Sequence, residues 1–130
     1  MSISVEWGNE EQTVLYHHYE GAWNWDEFYI TLEQAQTMMD SVDHDIDIII
    51  DMCDSHLIPK GTLSHWRCLG DLQRPNTGMT MLVGTNTLVL ALHELMVQVF
   101  PRMGENIVLV CTLEEAYAIA ANWRQQPTPA

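Results

Sequence analysis

Apolar positions change period several times along this chain, and each change marks an element. Residues 3–8 alternate Ile3, Val5 and Trp7 with Ser4 and Glu6, and residues 13–19 again favour a strand. Gly8-Asn9-Glu10-Glu11-Gln12 supplies turn residues between them, so the pair predicts an antiparallel hairpin, closed by Gly21. The period then lengthens: Phe28, Leu32, Ala35, Met39 and Val42 recur at helical spacing. Asn24 stands as N-cap with Glu27 three positions on, which predicts a first helix over residues 25–41.

Asp45-Ile46-Asp47-Ile48-Ile49-Ile50-Asp51-Met52-Cys53 is apolar on consecutive positions rather than alternate ones. Such a β-branched run predicts a central strand covered on both faces. Pro59 and Gly61 break the chain, and a second helix is expected from about Thr62 to Gln73, carrying Leu63, Trp66, Leu69 and Leu72. Met79 to Val83 predicts the next strand, running through Gly84-Thr85-Asn86-Thr87 into a third helix over 88–100. Asn106 to Cys111 predicts the last strand. Thr112 with Glu115 forms a capping box ahead of a fourth helix, whose stripe is Ala116, Ile119, Ala120 and Trp123. The order is β-β-α-β-α-β-α-β-α. It predicts an α/β fold with one mixed sheet, an antiparallel N-terminal hairpin followed by alternating β-α units, under about four helices. Residues 1–126 are expected to form a single domain, and 127–130 a frayed tail.

Composition narrows the function classes. Eighteen acids against five bases give a formal net charge of -13, which repels nucleic acid and anionic membrane surfaces. The apolar run from Leu88 to Phe100 contains His93 and Glu94 and is too short to span a bilayer. Cys53, Cys68 and Cys111 have no metal spacing and sit in apolar elements, so reduced buried thiols are expected. The start, Met1 to Glu6, has neither a basic segment nor an apolar core of a signal peptide, and a cytoplasmic protein is expected.

The order of elements resembles the STAS domain, the fold of anti-sigma-factor antagonists and of the cytosolic part of sulfate transporters, and in particular its SpoIIAA-like relatives. The resemblance is carried by the opening hairpin, by Gly21-Ala22-Trp23-Asn24-Trp25-Asp26 leading into a helix, by Ile48-Ile49-Ile50-Asp51 and by Thr112-Leu113-Glu114-Glu115-Ala116. It implies a non-enzymatic regulatory or ligand-sensing domain acting through protein contacts. In antagonists of that family an Asp-Ser step opens the helix after the central strand, and its serine is phosphorylated. Here that place holds Pro59-Lys60-Gly61-Thr62, so Thr62 and Ser64 are the hydroxyls left as phosphorylation candidates, near a helix start that favours phosphate. SpoIIAA-like chains also resemble the lipid-binding CRAL-TRIO fold, and a small lipid or metabolite carrier with an apolar pocket between sheet and helices is the second reading.

Candidate chemistry gathers at three places. Asp51, Asp54, Ser55 and His56 follow the central strand, where an open α/β sheet delivers groups to a crevice. A nucleophile there would need a sharp turn to meet its base, and ordinary turn chemistry explains Asp54 and Ser55 as well. Gly84, Thr85, Asn86 and Thr87 precede a helix and are candidates for an anion, against a structural turn and cap. His17 and His18 point to opposite sides of a strand, and Asp43-His44-Asp45 suits a solvated loop, so no metal or other cofactor is expected. Trp23 and Trp25 are candidates to line a pocket with Tyr16 or Tyr19. On the third helix one stripe, Leu88, Ala91, Leu92, Leu95 and Val99, suffices to cover a sheet. Val89, Leu90, Met96, Val97 and Phe100 then form a second apolar surface, expected to serve as the interface of a homodimer or with another protein.

Overall fold

In the computed structural model, residues 2–57, 76–84, 87–99 and 107–125 are described. The elements are β1 (Ile3–Trp7), β2 (Val14–Ala22), α1 (Trp25–Asp40), β3 (Ile46–Leu57), β4 (Thr77–Val83), α2 (Thr87–Val99), β5 (Ile107–Val110) and α3 (Leu113–Gln125). The helix expected over 62–73, Cys68, Phe100 and the tail 127–130 lie outside the described residues.

The five strands form one sheet in the order β1-β2-β3-β4-β5. β1 and β2 are antiparallel, and every later pair is parallel. The loop of the hairpin is closed by Asn9, whose Oδ1 accepts from the amides of Thr13 and Val14 at 3.0 and 3.2 Å. β3 lies in the middle, and both of its faces are covered: Ile46, Asp47 and Ile49 are fully buried and Met52 nearly so. β2-α1-β3 and β4-α2-β5 step across the sheet in the same direction, so right-handed crossovers put α1 and α2 on one face. There Ala35 and Met39 of α1 pack on Leu15 and Ile46, and Val89 of α2 packs with Met52 and Leu82. α3 covers the other face, where Ala116 and Ala120 meet Val14, Ile49, Met81 and Val110.

The caps form as their residues require. Asn24 accepts from the Glu27 amide at 2.9 Å. Thr112 Oγ1 accepts from the Glu115 amide at 3.2 Å, while Glu115 reaches back to the Cys111 amide at 3.1 Å. Asn76 serves two links at once, its amide group donating to the carbonyls of Met39 and His44 at 3.1 and 3.2 Å. It thereby ties the end of α1 to the entry of β4.

Three expectations are corrected. Asp54 and Ser55 are not turn residues: β3 runs on to Leu57, because β2 continues beside it and pairs Gly21 with Ser55 and Ala22 with Leu57. Cys53 and Cys111 are exposed rather than buried: Cys53 stands in the carboxyl-terminal half of β3, and Cys111 directly follows β5. The sheet-facing stripe of α2 runs through Val89, which is 1% exposed, while Ala91 faces outward. Gly84 explains that choice. Its backbone approaches the helix so closely that a Cβ there would stand 2.7 Å from Val89 Cγ2.

Gly84 also has a positive φ of 153°, whereas Gly21, at φ 62°, has nothing within 4 Å of an added Cβ. Gly84→Ala must therefore displace α2 as well as strain the backbone. A loss of about 2–4 kcal/mol is expected in urea unfolding, against about 1 kcal/mol for Gly21→Ala, which meets only the left-handed penalty. Equal losses at the two positions would contradict this packing.

Candidate functional site

The site lies at the carboxyl end of β2 and β3, on the face that α3 covers only in part. Alternation along β2 places Tyr16, His18 and Glu20 on this face, and the parallel register sets His18 beside Asp51 and Glu20 beside Asp54. Two residues lie between Asp51 and Asp54 but only one between His18 and Glu20, so β3 carries one extra residue. That irregularity turns Asp54 to the same side as Asp51.

Asp51 is buried, and a buried carboxylate needs donors on both oxygens. Tyr16 Oη donates to its Oδ2 at 2.6 Å, and the Cys53 amide donates to its Oδ1 at 3.1 Å. Burial raises the Tyr16 hydroxyl far above its ordinary range, and the hydrogen bond to Asp51 adds to it. The Cys53 thiol is pushed up to about 11, first by partial burial and then by its own hydrogen bond to Asp51 and the charges of Asp51 and Asp54. His18 stacks on Tyr16, with ring centroids 6.2 Å apart and planes 13° apart. Its Nε2 stands 2.9 Å from Asp54 Oδ2, on a pair whose side chains are 27% and 62% exposed.

This arrangement separates the residues of the Asp-Ser-His run. Asp54 meets His18, whereas Ser55 is buried and its Oγ accepts from Trp23 Nε1 at 3.3 Å. Neighbouring strand residues face opposite ways, so Ser55 opens to the α1 side and Asp54 to the α3 side. The side chain of His56 lies outside the described residues. Asp51 and Asp54 thus come together with Tyr16 and His18, and Ser55 does not join them.

At the second place, the Gly84 amide donates to Val110 O at 3.0 Å and extends the ladder between β4 and β5. Gly84 therefore has no N–H left for an anion, which removes it from the candidates. Thr87 is exposed at the start of α2; Thr85 and Asn86 lie outside the described residues, as do Thr62 and Ser64. Of the candidate interface on α2, Val89 is taken up by the core and Leu90 is 49% exposed. The side chains of Met96 and Val97 are outside the described set.

His17 and His18 do face opposite sides: His17 is buried, His18 half-buried. Among the described residues, no group of three or more His, Cys, Asp or Glu side chains could hold a metal ion. The Tyr19 and Trp23 rings meet edge-on at 5.1 Å, on the opposite side of the sheet from Tyr16, and Trp23 is 6% exposed. Among the described residues, no helix is long and apolar enough to cross a membrane.

The residues missed in the sequence were Tyr16 and His18 as partners of Asp51 and Asp54. Their shared face was readable from the period of two; the register that brings them to β3 was not. Comparison with protein-family models and with curated proteins finds no match for this chain.

Burial also pushes His17 down to about 4 from an ordinary 6.5. Its contribution to stability is then complete above pH 6.5 and is lost as pH falls from 6.5 through 4, because the unfolded chain takes the proton first. The loss amounts to about 3 kcal/mol across that window. Denaturant unfolding from pH 7 to pH 4 should show this loss, and His17→Leu should flatten the profile by a similar amount. An unchanged profile in the variant would contradict a neutral, buried His17.

Proposed function

We propose that the chain is a STAS-like regulatory or ligand-sensing domain that works through contacts with other proteins, with a homodimer as its first expected assembly. The observation that carries this reading is the closed state of the polar end of β3. Both oxygens of Asp51 are engaged, the Cys53 thiol is held up at about 11, and the Ser55 hydroxyl is buried against Trp23. A nucleophile is activated by a lowered pKa or an adjacent free base, and these groups are placed the other way. What the same end does offer is a half-exposed surface of His18, Asp54 and Glu20 at the point where open sheets present their binding groups. The antiparallel lead-in to a parallel sheet also fits the family resemblance.

The interior next to α1 favours an interaction module over a carrier. Tyr19, Trp23, Trp25 and Phe28 meet one another at ring separations of 5.1 to 6.0 Å, so aromatic side chains fill the space where an apolar ligand would sit. Leu90, half-exposed on α2 beside the outward Ala91, is the apolar contact available to a second subunit among the described side chains of that helix.

Sedimentation velocity at tens of micromolar should give a dimer, and Leu90→Glu should return it to a monomer with its fold intact by circular dichroism. A wild-type monomer contradicts the homodimer. Native mass spectrometry of freshly purified protein tests the wider reading: a dimer without bound small molecule agrees with it, and a stoichiometric lipid favours the carrier. Turnover of ester or phosphate substrates that is lost in Ser55→Ala would overturn both.

A further inference from the structure

We draw no further inference here: the strongest candidate, the acidic patch of Glu20 and Asp54 around His18 at the carboxyl end of the second and third strands, belongs to the site already described, and nothing in the structure shows what covers it.

Discussion

Two aspartates stand in the middle strand of this sheet, and the structure around them is shaped by the need to give each carboxylate its donors. Asp47 is fully buried and Asp51 nearly so. An unpaired charge at either place would cost several kcal/mol, more than a typical single substitution removes from a protein of this size. Asp47 meets the requirement through an irregularity of β4, where Ile46 pairs with Thr77 but Ile48 with Thr80. The extra residue frees the Met79 amide, which donates to Asp47 Oδ1 at 3.0 Å. Asp51 draws on its neighbours instead, taking the Tyr16 hydroxyl and the Cys53 amide. The carboxylates thus add to the packing that fixes the register of β3 against both neighbouring strands, since a slip would separate each from its donors.

The functional reading depends on the same constraint. Asp51 is engaged in holding β2 to β3, and partial burial, with the hydrogen bond to Asp51 next and its charge after that, raises the thiol and the phenol beside it. Polar groups that satisfy one another in this way make a rigid platform. The accessible polar groups lie one step outward, at the His18–Asp54 pair, whose side chains are partly exposed.

Much of the fold was legible because local signals and the global arrangement agree. Changes of period marked the strands and helices, and the caps at Asn24 and Thr112 formed with their expected partners. Errors arose where two local preferences were nearly equal and long-range pairing decided between them. Asp54 and Ser55 favour a turn, yet the continuing β2 keeps them extended. α2 is apolar over so much of its circumference that the pattern does not select a face; the close approach of Gly84 selects Val89. The site itself was half legible. Asp51 and Asp54 stood out as polar residues ending an apolar run, but their partners sit 35 and 36 positions away in the chain, and no local pattern records such a register.

Asp51 closes the polar end of β3 and, together with partial burial, raises the thiol and the phenol that touch it. The rate of Cys53 alkylation as a function of pH tests this most directly, in a Cys68→Ser, Cys111→Ser background that leaves one thiol to react. The rate should rise with a midpoint near 11, and Asp51→Asn should bring that midpoint part of the way down, since partial burial, the larger cause, remains. A wild-type midpoint at or below about 8.5, the value of a free cysteine, would contradict the account.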